Sequence, residues 1–296
     1  MSHHSEIKKH ESTSTNAYLP PVEDSEDSIN TRFYMYNIYE HVFNDIICAP
    51  VQEKLQTGAK VLEFCCDSGI WTTEIAPEYP NTEFYAVDST ISISGEKFNN
   101  ITFIECDIFK KLPFPDNEFD YIVSQDKLFL MEKNRFLEGL SEIIRVLKPE
   151  GWLEFVGTYN TDLVYGSAYK QLKNTWESWL RLQNIDSDIV KNIENYLQQT
   201  GKVESISCQT KDSQIRSGNA FGEFLNEFIF SFYRSTRDYL APFMSISLEE
   251  FDDLVNKAEC ELSAKDNQTT IRHKQILAKK KSMHSEATTR TVSSTE

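Results

Sequence analysis

Apolar residues along this chain fall into short blocks with two alternating spacings. Runs of strand length occur at Lys60 to Phe64, Glu83 to Val87, Ile101 to Glu105, Asp120 to Ser124 and Trp152 to Val156. Between them the spacing is helical. Ile70 to Glu78 is one such segment, stopped by the Pro80-Asn81 turn. Phe136, Leu140, Ile143, Ile144 and Leu147 mark another, stopped by Pro149 and Gly151. Pro113, Pro115, Asp116 and Asn117 form a turn. Strand and helix thus alternate, which predicts parallel strands joined by right-handed helical crossovers: a doubly wound α/β sheet.

The rhythm changes on both sides of this core. Residues 32–47 (RFYMYNIYEHVFNDII) predict an aromatic-rich helix entering it. After residue 158, Tyr169, Leu172, Trp176, Trp179 and Leu180 mark a helix, with a second near 187–199. Lys202 to Thr210 reads as a strand, Phe221 to Phe232 and Leu248 to Ala258 as helices, and Thr270 to Leu277 as a last strand. Residues 1–28 and 282–296 are polar, poor in large apolar residues, and expected to be disordered. The expected organisation is an arm at 1–28, one domain at 29–281, and a tail at 282–296. Within the domain, 59–157 form the core, and 158–281 supply an inserted helical lid and the last strands.

Composition narrows the classes. A chain of 296 residues with 40% apolar content can bury a large core. Its net charge of −16 argues against nucleic acid, since each phosphate contact needs a Lys or Arg. No apolar run approaches the length of a membrane span. The six cysteines form no CxxC pair and no zinc spacing, so no metal is expected. Four of them sit in apolar surroundings and read as reduced thiols, hence a cytoplasmic or nuclear protein.

The chemistry concentrates in KVLEFCCDSGIWTTEIAPEYPNTEFYAVDST, which begins at Lys60. It reads strand, tight loop, helix, strand, acidic residue, the layout of a nucleotide-type cofactor site. Loops of this kind carry two or three glycines; this one has Cys65, Asp67 and a single glycine, Gly69. It does not supply the GxGxxG of a nicotinamide oxidoreductase. Cys65 and Cys66 read as two small buried side chains and not as a redox or metal site. No Ser-His-Asp order or HExxH motif is present, and catalytic residues are left unassigned.

VLEFCCDSGIW, the acidic end of FYAVDST, Cys106-Asp107, LPFPDNEFDYIV and RVLKPEGWLEF stand in the order found in class I S-adenosylmethionine-dependent methyltransferases, which the chain resembles over roughly residues 18–280. The GIW ending, the PFPDNEFD turn, the LKPEGW strand entry and the upstream YLPPVEDSEDSIN look most like the fungal LaeA-like group. The resemblance implies a Rossmann-like seven-stranded mixed sheet with an antiparallel last hairpin strand. It also implies S-adenosyl-L-methionine as cofactor and a small-molecule or protein methyl acceptor.

On that resemblance, the loop from Cys65 to Gly69 and the start of the next helix would face the methionine part of the cofactor. Asp88 would accept both ribose hydroxyls, or else cap the following turn, a task Ser89 and Thr90 can also perform. Asp107, with the backbone of Ile108, would meet the adenine amino group, or be a plain turn aspartate. Gln125 and Asp126 would floor the pocket. Glu63 would reach the cofactor ammonium or accept loop N–H groups. Where the family often has Gln-His, this chain has Phe33-Tyr34; Tyr34, Tyr36 and Tyr39 either line the cofactor or substrate mouth or pack in the core. Trp176, Trp179, Phe221, Phe224 and Phe228 line an apolar acceptor cavity or are core, and His41 is a general base or packs on a helix face.

Cys65 and Asp67 stand where the family has glycine. If those positions need positive φ, each side chain costs about 1–2 kcal/mol, which weakens binding about 5–30-fold. Methyl transfer from a sulfonium rests largely on proximity and orientation, so it needs no dedicated base. Two functions follow: a methyltransferase, or a non-catalytic relative that binds or regulates a protein partner with weakened or lost cofactor binding.

Overall fold

The computed structural model describes residues 8–9, 26–91, 98–125, 131–160, 166–215 and 218–282. Strands β1 (Lys8–Lys9), β2 (Lys60–Phe64), β3 (Glu83–Asp88), β4 (Ile101–Glu105), β5 (Phe119–Gln125), β6 (Leu147–Asn160), β7 (Val203–Gln214) and β8 (Thr270–Lys280) form one sheet in the order β1-β4-β3-β2-β5-β6-β8-β7. The strands from β2 to β6 pair in parallel, while β8 is antiparallel to both β6 and β7. This is the expected seven-stranded mixed sheet, with β1 as a short eighth member. The arm expected to be disordered thus contributes Lys8 and Lys9, which pair with Ile104 and Glu105. Edge pairing uses main-chain groups alone, so no hydropathy pattern announces it. Asp126, most of the arm and most of the tail lie outside the described residues.

The two faces of the sheet are covered differently. Leu62, Phe64, Ile122, Phe155 and Ile276 pack against α4 (Lys133–Val146) and α6 (Ile189–Gln199). The helix near 187–199, expected in the lid, is α6 and instead covers the sheet. Its apolar face of Ile189, Val190, Ile193 and Leu197 needs a full sheet face, not a partial one. Val61, Val123, Tyr121 and Trp152 on the opposite face meet α3 (Ile70–Ile75), α2 (Gln52–Thr57) and the segment before it.

The expected fifth strand, Trp152 to Val156, extends to Asn160. β5 pairs with β6 as far as Gln125, opposite Val156, and β8 runs alongside β6 until Ile271 faces Asn160. Beyond the parallel sheet this projection carries a second core. It is shared by α1 (Glu26–Phe43), α5 (Ser167–Leu182), α7 (Ala220–Ser235), α8 (Arg237–Met244) and α9 (Leu248–Leu262). Trp176 and Trp179 stack there at 5.5 Å and are buried, so they are core. α9 begins with a reciprocal cap, Ser247 Oγ accepting from the Glu250 N–H while the Glu250 carboxylate accepts from the Ser247 N–H.

One carboxylate joins helices to sheet. Glu154, in the middle of β6, is fully buried. It accepts hydrogen bonds from the Cys48 and Ala49 N–H groups, the Tyr121 hydroxyl and the Gln275 amide. The connection between α1 and α2 is thereby fixed to the sheet. Glu154→Ala leaves these four donors without a partner, and urea unfolding should show a loss of about 2–4 kcal/mol, the cost of breaking a buried hydrogen-bonded charge site. A loss under about 0.5 kcal/mol, the scale of an ordinary surface change, would contradict that role.

Candidate active site

The strand order reverses around β2, which leads to β3 on one side and lies beside β5 on the other. The crevice outside the carboxyl ends of β2, β3 and β5 is where ligands bind in open α/β sheets. The loop after β2 enters it with positive φ at three positions: Cys65 at 63°, Asp67 at 52° and Gly69 at 67°. The backbone therefore keeps a glycine loop's conformation where two of the residues are not glycine. Asp tolerates this region better than most residues, whereas Cys does not. Gly69 is needed for a steric reason as well, since a Cβ there would collide with the Phe103 ring.

Hydrogen bonds hold the loop in this shape. The Cys66 N–H donates to the Val87 carbonyl at 3.1 Å, and the Gly69 N–H to the Cys66 carbonyl at 2.8 Å. The Asp67 N–H donates to the Asp88 carboxylate at 2.8 Å, and the other Asp88 oxygen accepts from the Ser89 N–H at 2.7 Å. Asp88 is fully buried and so ties the loop to the end of β3. Glu63, one strand position below the loop, accepts from the Thr72 N–H at 3.2 Å and the Thr72 hydroxyl at 2.6 Å. It therefore braces α3 rather than the loop itself. Burial first, then the carboxylates of Asp88 and Asp67, push its pKa from 4.5 to about 8.

Asp107 and Ile108 lie beyond β4. One Asp107 oxygen accepts from the Phe109 N–H at 3.1 Å and the other pairs with Lys110 at 3.4 Å, the geometry of a turn aspartate; Ile108 is buried. Gln125 ends β5, and its amide nitrogen is buried without a hydrogen-bond partner. The structure thus gathers Glu63, Cys65, Asp67, Gly69, Asp88 and Ser89 around one loop, with Asp107, Ile108 and Gln125 at the ends of the neighbouring strands.

The upstream tyrosines are not brought together. Tyr34 packs edge-on against Phe224 of α7 and donates to Glu227 at 3.2 Å. Tyr36 packs in the cluster with α3, where burial and then Glu40, Glu74 and Glu78 raise its pKa to about 12. Two residues along a helix point to opposite sides, so both cannot line one mouth. His41 stacks on Phe221 at 3.9 Å, a helix-face contact.

Two features escape a reading by local pattern. The first is Glu154, whose one signal is a charge inside the apolar run WLEFV. The second is a polar chain inside the helical core: the hydroxyls of Tyr39 and Thr158 lie 2.9 Å apart, and Thr158 lies 3.3 Å from His273 Nδ1. His273 is fully buried, its Nε2 has no partner, and desolvation lowers its pKa to about 4, so the ring is neutral.

Glu63 leads to a pH prediction. Its folded pKa of about 8 exceeds the ordinary 4.5, so the folded protein holds a proton that the unfolded chain has released between those values. Stability present at acid pH is therefore lost as pH rises through that window. Glu154, raised to about 7 chiefly by burial, adds in the same direction. Urea midpoints should fall from pH 5 to pH 8. Glu63→Gln, which retains an oxygen for Thr72, should flatten the part of that fall above pH 7; an unchanged slope would contradict the assignment.

Residues 61–151 match the family model of a methyltransferase domain. The demethylmenaquinone methyltransferase of Listeria welshimeri is 30% identical over 132 residues, covering 42% of this chain and 53% of that protein. The protein of the same name from Staphylococcus saprophyticus is 32% identical over 124 residues, covering 39% and 52%. The chain spans about half the length of the curated relatives it matches. Among solved structures, phosphoethanolamine N-methyltransferase 2 of Haemonchus contortus, in complex with phosphomonomethylethanolamine and S-adenosylhomocysteine, aligns with a TM-score of 0.49 at 18% identity, covering 86% of this chain and 58% of that one. Residues 61–151 are thus similar to a methyltransferase domain, and they lie within the seven-stranded mixed sheet described above.

Proposed function

We propose that the protein is an S-adenosylmethionine-dependent methyltransferase that passes a methyl group to a small-molecule or protein acceptor by in-line displacement. The observation that carries this reading is the acidic, left-handed loop at the switch point. Burial chiefly, and then the nearby Asp88 and Asp67 carboxylates, raise the pKa of Glu63. Such a site favours a ligand bearing positive charge, and S-adenosylmethionine carries an ammonium and a sulfonium. When bound, it supplies an activated methyl group.

In this reading Asp88 and Ser89 hold the ribose, Asp107 and the Ile108 backbone meet the adenine, and Glu63 faces the ammonium. The Cys65–Gly69 loop encloses the methionine portion and Gln125 floors the pocket. The aromatic core around α1, α5 and α7 keeps water from the acceptor side. Tyr34 and Tyr36 remain acceptor-side candidates only separately. The domain spans 29–281, and its sequence motifs look like those of the fungal LaeA-like group, although the two relatives above are bacterial. Their name supports a small, ring-bearing acceptor. Among the described residues no helix is long and apolar enough to cross a membrane. The buried thiols of Cys65, Cys66 and Cys106 favour a reducing compartment, cytoplasm or nucleus.

A second reading, a non-catalytic binding or regulatory protein, draws on one observation: Asp88 is fully buried and both its oxygens already accept backbone N–H groups. Titration calorimetry separates the two. The enzyme reading expects S-adenosylmethionine and its demethylated product to bind, and no heat at millimolar ligand would sink it. Asp88→Ala should lower cofactor affinity by about 2 kcal/mol, on the order of 30-fold, and also lower stability. An unchanged dissociation constant would show that the ribose sits elsewhere.

A further inference from the structure

Glu63 is a buried carboxyl group with no cation beside it. It lies on the α3 face of β2 and is 6 % exposed. Ala86 on β3 and Val123 on β5, its partners across the sheet, are apolar. α3 presents the Thr72 N–H and hydroxyl, both neutral donors. The charged groups that act on it are Asp88, at the end of β3, and Asp67, in the loop after β2. Both are negative, and among the described residues no Lys, Arg or His opposes them there. A carboxyl group removed from water without a counter-charge, and set near two carboxylates, keeps its proton.

The hydrogen bonds have the form of a neutral acid. Both Thr72 donors converge on one oxygen, Oε2, at 3.2 and 2.6 Å. A protonated carboxyl group divides its roles in this way, one oxygen accepting while the other carries an O–H. Oε2 is the acceptor here, which leaves the proton to Oε1. Burial chiefly, and then Asp88 and Asp67, push the pKa up to about 8, so the free protein holds this proton at neutral pH. In the function proposed above, Glu63 faces the ammonium of the cofactor. An ammonium has donors only, so an O–H gives it nothing to bond, whereas a carboxylate gives it a charge-assisted hydrogen bond. A positive group within about 4–6 Å also favours the ionised carboxyl. Ammonium and proton therefore compete for the same group.

We propose that Glu63 couples cofactor binding to the release of one proton: the ammonium displaces the acid proton, which leaves to solvent, and the carboxylate becomes its counter-charge. The proposal rests on the methyltransferase reading and deepens it, since occupancy of that site then depends on pH. Affinity rises with pH, by about tenfold per unit at the limit of one proton released, until the free protein has itself lost the proton. Folding stability runs the other way and falls over the same range. The two trends differ in sign because the free folded protein holds the proton, while the complex and the unfolded chain do not.

The test is titration calorimetry of the full chain with S-adenosylhomocysteine, which carries the ammonium. It is run at pH 6 and pH 7, and at pH 7 in two buffers of different ionisation enthalpy, which count the protons released. The wild type should release about one proton and bind about fivefold to tenfold more tightly at pH 7 than at pH 6. Glu63→Gln keeps an oxygen for Thr72 but has no proton to lose. It should release none through this group, and its affinity should change by less than about twofold between the two pH values. If Glu63→Gln does not fold, the buffer comparison on the wild type decides alone. Binding without proton release, or equal release from wild type and Glu63→Gln, would overturn the proposal and leave the enzyme reading standing. No binding at millimolar ligand at either pH would overturn both.

Discussion

The end of the sheet depends on the Asp88 carboxylate. It is fully buried, and its oxygens accept the N–H groups of Asp67 and Ser89. Together with the Cys66 N–H to Val87 and Gly69 N–H to Cys66 bonds, these contacts hold Cys65 and Asp67 in the left-handed region, where their side chains are unfavourable. Asp88 thus helps hold a loop from which two glycines are missing. Burial chiefly, and then the same carboxylate, raise the pKa of Glu63.

This changes where the cost of the missing glycines falls. Read from sequence alone, positive φ at Cys65 and Asp67 would weaken the cofactor. In the structure Cys65 and Asp67 take left-handed angles within a loop held by the protein's own hydrogen bonds, from the Asp67 N–H to Asp88 and from the Cys66 N–H to Val87, so the strain belongs to folding and not to binding. Ligand affinity is then set by charge and shape at the loop. The buried glutamates act alike: Glu154 spends stability to fix the chain between α1 and α2, and Glu63 spends it to brace α3.

Much of the fold could be read in the sequence. The blocks KVLEF, EFYAV and WLEFV became strands because β-rich apolar runs of that length have few alternatives; α4 stops at Val146, shortly before Pro149, and Pro149 and Gly151 fall inside β6, where its register with β5 shifts. The loop's glycine-like geometry was legible as a question, since the motif order demanded it while the residues opposed it. What was not legible depended on distant partners. The extension of β6 to Asn160 needs β8, more than a hundred residues later. The placement of α6 on the sheet needs the apolar face of β5 and β6. The Tyr39–Thr158–His273 chain joins three segments that no local spacing relates.

The account is tested most directly by S-adenosylhomocysteine affinity in Cys65→Gly against Cys65→Ala, measured by calorimetry beside urea stability. Both substitutions remove the thiol, and only glycine relieves the left-handed strain. If the strain is carried by folding, the glycine variant is more stable than the alanine variant by about 1 kcal/mol and their dissociation constants agree within about threefold. A glycine variant that binds about tenfold tighter than alanine at equal stability would contradict it.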